Sequence, residues 1–331
     1  MMKNKWLGKV VLALCVFWTS SSLLATEKQP LIVGGSAISI GTAPWQVFLR
    51  GQTPLNTVSC GGTLIANNFI LTAAHCLQGF ESYTFTAYAG NAYWPAGKTL
   101  PVIARFVHPQ YDSSTLDNDI ALVKISGTLP ATARKITLVN ESNQIAFDNE
   151  AANGTTNNLF VSGWGATTPN RKNASDNLLG VNMTGIADTQ CLWNRDNSNN
   201  YVPEWGNIII CANSTGTQGA CIGDSGGPLV WKDPSRAGDA DGGSRLIGVV
   251  SFTWRNECAN SNYPDGFSEV SHYLSWISQT LNQNGVDNSD GGSGGGGGTP
   301  VGGGGGGGSM GGILMLSLFG VALFSRRKRL S

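Results

Sequence analysis

The chain has 331 residues, and its 21 lysine and arginine residues balance 21 aspartates and glutamates. Between residues 32 and 290, however, 13 basic residues face 20 acidic ones, and this excess of negative charge argues against nucleic acid as a ligand. A stretch of this length can bury a large core, and its regularly spaced short apolar runs with Gly-rich turns favour an all-β architecture in one piece or two halves.

The N-terminus has the pattern of a secretory signal peptide. Lys3, Lys5 and Lys9 precede an apolar run over residues 10–18, and small residues follow up to a cleavage site after Ala25. Residues 1–25 are therefore predicted to be removed on export, and Cys15 with them. Six cysteines remain, without the close two-by-two spacing of a zinc site, which indicates disulfides in an oxidising compartment.

Three separated motifs carry residues suited to acyl transfer. An apolar strand-like run from Asn68 ends in small residues and then His75, and Asp119 opens a second apolar run. Ser225 lies in the hexapeptide Gly-Asp-Ser-Gly-Gly-Pro at residues 223–228, whose glycines permit a turn that exposes the hydroxyl. On its own, this hexapeptide would also fit a Gly-rich surface turn.

The chemistry requires these three residue types together. A serine hydroxyl is a weak nucleophile that needs a base within hydrogen-bond reach, and a histidine base needs a carboxylate to hold its tautomer. The chain has three histidines. We interpret His108 and His272 as ordinary surface or packing residues, which leaves His75 as the base, Asp119 as its partner and Ser225 as the nucleophile.

With these residues in the order His75, Asp119, Ser225, the chain resembles the chymotrypsin-like serine proteases of the trypsin fold. The flanking segments also match the family: Ile-Val-Gly-Gly at 32–35, Ala-Pro-Trp-Gln-Val at 43–47, Cys-Gly-Gly at 60–62, Ser-Gly-Trp-Gly at 162–165 and Tyr-Leu-Ser-Trp-Ile at 273–277. The resemblance covers roughly residues 32 to 280.

The resemblance implies an all-β protease domain over residues 32–284, with two six-stranded antiparallel β-barrels, a short C-terminal helix and a catalytic cleft between the barrels. It implies an oxyanion hole formed by the backbone N–H groups of Gly223 and Ser225. No cofactor is expected. No calcium site is expected either, because the loop over residues 90–100 contains no acidic residue.

The resemblance also implies three disulfides, Cys60–Cys76, Cys191–Cys211 and Cys221–Cys258. A further bridge that is frequent in the family is absent, because Leu159 and Trp231 stand at its two positions. We expect an apolar contact between these two side chains instead.

Residues 26–31 are predicted to be an activation segment. In the family, proteolysis frees the amine of the residue equivalent to Ile32, which pairs with the acid before the nucleophile, here Asp224, and shapes the oxyanion hole. The chain departs from the usual pattern at Leu31, where Arg or Lys is common. An activating protease that cuts after an apolar residue is therefore expected.

Specificity is predicted from a pocket whose floor, by resemblance, is formed by Gly219 and Ala220. Ser251, Phe252 and Thr253 correspond to the strand that pairs with substrate, and Thr253 replaces the usual glycine at the pocket mouth. Alignment on Pro264 places Asp265 on the pocket wall, which implies mixed specificity for basic and medium apolar residues. If the register slips by one residue, Asp265 is a loop acid and the pocket is small and apolar, as in elastase-like enzymes.

The C-terminus has a second unusual pattern. A Gly-rich linker at 285–309 precedes an apolar segment at 310–325 and a basic tail at 326–331. The arrangement resembles the GlyGly-CTERM sorting signal of gram-negative bacteria, which implies type II secretion machinery and a rhomboid-type processing protease as partners. A plain membrane anchor that is never cut is the alternative. A GPI signal is disfavoured, because such a signal ends in its hydrophobic tail.

Two classes of function follow. The first is a secreted or surface-held serine endopeptidase acting on protein or peptide substrates. The second is a protease-fold binding or adhesion module without activity. The complete set of three catalytic residue types favours the first.

Overall fold

The computed structural model describes residues 32–168, 174–213, 218–253, 257–260 and 262–287. The predicted signal peptide, activation segment, apolar segment and basic tail lie outside these ranges, as does the linker beyond Asp287. In the described part of the chain, no helix combines the length and apolar character needed to cross a membrane.

The chain begins with a two-residue strand, β1 (Ser36–Ala37), and then forms a closed barrel. The barrel strands are β2 (Gln46–Gln52), β3 (Thr57–Ala66), β4 (Phe69–Thr72), β5 (Thr84–Ala89), β6 (Lys98–Val107) and β7 (Ala121–Ile125). They pair antiparallel in the order β2-β3-β4-β7-β6-β5, and β5 returns to β2. The apolar run after Asn68 is strand β4, and the run after Asp119 is strand β7.

A second antiparallel barrel follows β8 (Thr137–Leu138). Its strands are β9 (Leu159–Gly163), β10 (Leu179–Ile186), β11 (Ile209–Asn213), β12 (Pro228–Lys232), β13 (Ser244–Phe252) and β14 (Asp265–Glu269). They follow the order β10-β11-β14-β13-β12-β9, and pairing of β9 with β10 closes the ring. β1 joins β10, and β8 pairs parallel with β13. The predicted pair of six-stranded barrels is confirmed.

Side chains from both barrels pack at the interface between them. Phe48 of β2 stacks on Trp94 with ring centroids 4.3 Å apart and meets Trp164 edge-on at 5.8 Å. Ser162 of β9 donates a hydrogen bond of 2.7 Å to Gln46 Oε1 of β2. Each large side chain buried in this way stabilises the fold by about 1.5–3 kcal/mol, so the relative position of the barrels is strongly determined.

A helix that the sequence analysis did not predict, α1 (Glu141–Ala152), packs beside β12. Asn140 caps it by accepting a hydrogen bond of 2.9 Å from the Asn143 N–H. Glu150 accepts a hydrogen bond of 3.0 Å from Trp231 Nε1. Trp231 is the register partner of Leu159, and both are fully buried, so a packed pair occupies the place of the missing disulfide.

Two helices follow in the chain, the single turn α2 (Pro203–Gly206) and the predicted C-terminal helix α3 (Leu274–Gln283). After α3 the chain lies against the β3–β4 turn. Asn68 Nδ2 donates to the Gly285 carbonyl at 2.9 Å, and Asn68 Oδ1 accepts from the Asp287 N–H at 2.8 Å. Lys124 Nζ donates to the Asn284 carbonyl at 2.6 Å. These contacts fix the end of the described chain to the first barrel.

Candidate active site

His75 lies in a tight turn directly after β4. Its backbone N–H donates a hydrogen bond of 2.9 Å to Asp119 Oδ1, and the Cys60–Cys76 disulfide ties the next residue to β3. The side chain keeps 27% of its surface exposed. The main chain is therefore held in place while the imidazole remains accessible to a ligand.

The Asp119 carboxylate is fully buried and accepts three hydrogen bonds. Besides the His75 N–H, its Oδ2 accepts from His75 Nδ1 at 2.7 Å and from the Ser251 hydroxyl at 2.6 Å. Because an ionised carboxylate only accepts, the contact places the imidazole proton on Nδ1 and leaves Nε2 available as a base.

The pKa values of this pair move in opposite directions. Burial alone lowers the pKa of His75, but the charge of Asp119 and the hydrogen bond to it outweigh burial and raise the pKa. Burial alone raises the pKa of Asp119, but His75 and Ser251 lower it below its usual value. The pair therefore favours an anionic carboxylate and stabilises the imidazolium that forms when His75 accepts a proton.

The loop before Asp119 has an unusual backbone conformation. Leu116 and Asn118 are in the left-handed region, with φ of 59° and 55°. Asn118 Nδ2 donates to the Gln110 carbonyl at 3.0 Å, and the Ser268 hydroxyl donates to the Asp119 carbonyl at 2.7 Å. Hydrogen bonds with other segments hold this strained loop in one conformation, so the direction of the Asp119 side chain is well defined.

Ser225 lies on a turn that contacts both barrels. Its carbonyl accepts from the Gly61 N–H of β3 at 2.7 Å, and the Gly226 N–H donates to Val250 of β13 at 2.8 Å. Gly226 has φ of 79°, and a Cβ there would lie 2.1 Å from Thr72 Oγ1, so only glycine fits. The Ser225 side chain is partly exposed. Among the described residues, none accepts from the N–H of Gly223 or Ser225.

Asp224 is fully buried, and its carboxyl group contacts the segment that follows β9. Its Oδ1 accepts from the Gly165 N–H at 2.8 Å and its Oδ2 from the Cys221 N–H at 2.9 Å. Burial raises the pKa of Asp224 to about 7 against the opposing effect of these two donors. Ile32 is also fully buried, and as long as Leu31 precedes it its nitrogen is an uncharged amide.

Asp265 begins β14 and is 5% exposed. Its Oδ2 accepts from the Ala220 N–H at 2.9 Å, and a Cβ on Gly219 would lie 2.6 Å from that oxygen. Burial raises the pKa of Asp265 to about 8, the Ala220 N–H opposes the rise, and the nearby Asp224 charge adds to it. The carboxyl group thus contacts the backbone of residues 219–220, in the segment that leads to Ser225.

The strand opposite Asp265 carries the remaining predicted pocket residues. Ser251 and Phe252 end β13, with Ser251 turned to Asp119, and Thr253 follows the strand and is partly exposed. The Phe252 ring contacts Trp193 edge-on at 5.4 Å, and Trp193 Nε1 donates to the Pro264 carbonyl at 2.8 Å. The residue before Asp265 is thus held by a tryptophan that the sequence analysis did not single out.

The three disulfides form as the resemblance implied: Cys60–Cys76, Cys191–Cys211 and Cys221–Cys258. In the described ranges, one group of three side chains brings metal-ligand atoms together, and it consists of Cys60, His75 and Cys76. Because both sulfurs belong to the disulfide, neither is a thiolate, and the group cannot act as a metal centre.

The other two histidines have packing roles. His108 is 8% exposed, and its ring meets Tyr273 and Trp276 at 5.3 and 5.1 Å. His272 is exposed and contacts Tyr273 at 4.8 Å.

Comparison with known proteins identifies the family. A family profile described as Trypsin matches residues 32–277. Trypsin alpha and trypsin delta of Drosophila melanogaster are each 35% identical to the chain, over 78% and 77% of its length and 91% and 90% of theirs. A solved structure named HL collagenase superposes with a TM-score of 0.61 at 28% identity, covering 76% of this chain and 99% of that one. The chain therefore belongs to the trypsin family, and it is a serine endopeptidase.

Proposed function

We propose that the protein hydrolyses peptide bonds through an acyl-enzyme on Ser225, with His75 as general base and Asp119 as its orienting partner. The observation that carries this proposal is the buried contact of 2.7 Å between His75 Nδ1 and Asp119 Oδ2, because it presents Nε2 of the imidazole as the base.

In this mechanism, Nε2 takes the Ser225 hydroxyl proton as Oγ attacks the carbonyl carbon of the substrate. The negative charge that develops on the carbonyl oxygen is stabilised by the N–H groups of Gly223 and Ser225. The imidazolium then protonates the leaving amine, and the C–N bond breaks to leave the acyl-enzyme. Water, activated by the same nitrogen, hydrolyses the ester and regenerates the serine.

Labelling with a serine-reactive phosphonate tests this proposal. The mature protein is expected to incorporate one phosphonate at Ser225 and lose peptidase activity, and Ser225→Ala is expected not to react. Ser278→Ala, which changes an exposed serine on α3, serves as the matched control and is expected to label normally. Equal labelling of Ser225→Ala would contradict the assignment. A folded and cleaved protein that never labels would support the alternative of an inactive binding module.

We also propose that the protein is made as a zymogen and is activated by cleavage after Leu31. The support is electrostatic, because the fully buried Asp224 has only backbone donors and no cation among the described residues. A new amine on Ile32 supplies the missing positive charge. N-terminal sequencing of the active protein is expected to begin at Ile32. An active protein that keeps residues 26–31 would exclude this activation.

The proposed P1 specificity is mixed, accepting basic and medium apolar residues. The burial of Asp265 against the Ala220 N–H supports the register aligned on Pro264, and the carboxyl group lies against Gly219, the predicted pocket floor, where a Cβ would lie 2.6 Å from Oδ2. Comparison of Asp265→Ala with the parent on matched Arg and Leu peptides tests the proposal. We expect Arg hydrolysis to fall relative to Leu hydrolysis, and unchanged selectivity would exclude the wall carboxylate.

We further propose export through residues 1–25 and transient or retained membrane attachment through residues 310–325. The order of the apolar segment and the basic tail supports this topology, with the protease domain outside the membrane. Mass spectrometry of the mature protein determines both ends. A chain intact through Ser331 would exclude processing of the tail.

A further inference from the structure

The Asp265 carboxyl group is buried against backbone. Its pairing partner is Ala212 of β11, the Phe252 ring packs on the adjacent Gly266, and the Ala259 backbone lies on the same side of Gly219 as the carboxyl group. The Ala220 N–H is the hydrogen-bond donor to this carboxyl group among the described residues. One neutral donor does not replace the water that an ionised carboxylate loses on burial.

The charged surroundings of Asp265 also oppose its ionisation. The elements packed against it are β11, β13, and the segments at 218–224 and 257–260, and the charged side chain on them that acts on Asp265 is Asp224, itself a buried carboxylate. Among the described residues, no lysine, arginine or histidine forms an ion pair with Asp265. Burial and a neighbouring like charge both favour the protonated acid.

From this geometry we propose that Asp265 switches the P1 preference by gaining or losing one proton. The protonated acid makes a neutral wall that admits apolar side chains, and the ionised acid recognises arginine or lysine. The preference for basic residues over apolar ones then increases with pH. This inference rests on the proposed specificity pocket, and it states how protonation of Asp265 regulates the preference of that pocket.

The direction of the pKa agrees with this geometry. Burial, opposed by the Ala220 N–H and reinforced by Asp224, raises the pKa of Asp265 to about 8 while Ile32 is still an amide. Pairing of Asp224 with a free Ile32 amine neutralises the neighbouring charge, so the mature protein ionises Asp265 at a lower pH than the precursor does. Activation therefore moves the switch toward neutral pH.

Proton linkage gives the size of the effect. Below the pKa of Asp265, binding of a guanidinium group must release the carboxyl proton, so specificity for Arg falls up to about tenfold for each pH unit below the pKa. A neutral side chain of the same shape has no such requirement. A ratio of kcat/KM values for two substrates of one enzyme cancels the titration of His75, which affects both equally.

The test uses mature protein and peptides that differ only at P1, which is Arg, its neutral analogue citrulline, or Leu. In the parent protein, we expect the Arg/citrulline and Arg/Leu ratios of kcat/KM to rise by about 10- to 100-fold between about pH 6 and about pH 8. In Asp265→Asn both ratios are expected to be low and independent of pH. Ratios that are flat in the parent protein over this range would overturn the proposal.

Glu269→Gln is the matched control. Glu269 lies on the same strand and is also buried, and burial raises its pKa to about 8, but its charged neighbours are Asp148 and Asp188. The control is expected to keep the pH dependence of the parent. If Glu269→Gln abolished the dependence as Asp265→Asn does, assignment of the switch to Asp265 would be wrong.

Benzamidine binding separates this inference from the proposed catalysis. Calorimetry on Ser225→Ala with a free Ile32 terminus, in two buffers of different ionisation enthalpy, is expected to show release of nearly one proton per benzamidine at about pH 6 and none in the added Asp265→Asn variant. Binding without proton release would overturn the switch. Proton release in a protein whose active form hydrolyses no peptide would overturn the proposed function and leave the switch in place.

Discussion

The His75 side and the Gly219 side of the site shift the pKa of a buried aspartate in opposite directions. Asp119 and Asp224 are both fully inaccessible and Asp265 nearly so, yet the pKa of Asp119 is lowered, whereas the pKa values of the other two are raised to about 7 and about 8. Burial acts in the same direction on all three. The partners decide the outcome: Asp119 has an imidazole and a hydroxyl, and among the described residues the donors to the other two are backbone N–H groups alone.

The difference separates two kinds of function. A carboxylate that must stay charged to hold an imidazolium needs its own donors within the fold. A carboxylate that waits for a positive charge from outside, from a new N-terminus or a substrate, lacks such a partner until that charge arrives. On the proposed mechanism, Asp119 already has its partners before any cleavage after Leu31, whereas Asp224 and Asp265 do not.

The largest expected effect is the loss of kcat on substitution of Asp119. Asp119→Asn keeps the shape but replaces an acceptor by an amide, which disfavours the proton on His75 Nδ1. We expect kcat to fall by about 10⁴-fold, the loss known for the corresponding change in proteases of this family. Steady-state kinetics on mature protein measures it. A loss of less than about tenfold would show that Asp119 does not determine the tautomer.

The next effect concerns Asp224. In mature protein, Asp224→Asn removes the proposed partner of the Ile32 amine, and we expect kcat to fall by about 10²- to 10³-fold, as for the loss of an oxyanion donor. In the precursor, the same change removes an unpaired buried acid and is expected to increase the free energy of unfolding. Urea denaturation and kinetics measure the effect of Asp224→Asn on the mature protein and on the precursor. Equal effects on the two forms would contradict the inference that Asp224 gains its partner only on maturation.

Asp265→Asn is expected to change stability with a definite pH dependence. The folded state of the parent holds the Asp265 proton up to about pH 8, whereas the unfolded chain loses it near pH 4, so the parent loses stability as pH rises through this window. The variant has no proton to lose. In a Ser225→Ala background, we expect it to be more stable by about 1–3 kcal/mol at about pH 9 and similar to the parent near pH 4.

The smallest expected effect is at Ser251. Removal of its hydroxyl takes one of three hydrogen bonds from Asp119, and we expect Ser251→Ala to lower kcat by about tenfold, which corresponds to one hydrogen bond to a charged group. Ser268→Ala is the matched comparison, because Ser268 donates to the neutral backbone carbonyl of Asp119. A larger loss for Ser268→Ala would show that the loop conformation, not the carboxylate, is the sensitive element.

Much of the fold could be predicted because its signals are local. The apolar runs that end at His75 and begin after Asp119 are strands β4 and β7, and the six cysteines pair as the resemblance implied. Helix α1 was missed for a physical reason. Its buried residues are Gln144, Phe147 and Ala151, so its sequence has no apolar stripe, and its position depends on contacts with Trp231.

The electrostatics of the site could not be predicted from local pattern. Ser251 was assigned to the substrate strand, and its hydrogen bond to Asp119 crosses 132 positions of the chain. The positions of Asp224 and Asp265 could be aligned, but their raised pKa values come from the fit of glycine backbone around them. Such values depend on which donors face a carboxylate, and a linear sequence does not record this.

The contact of Asn68 with Gly285 and Asp287 determines where any attached tail begins. Asn68 lies at one end of β4 and His75 just beyond the other, and the four residues of the strand span about 13 Å. At Asp287 the described chain is therefore held at the end of β4 opposite to the end that leads to His75.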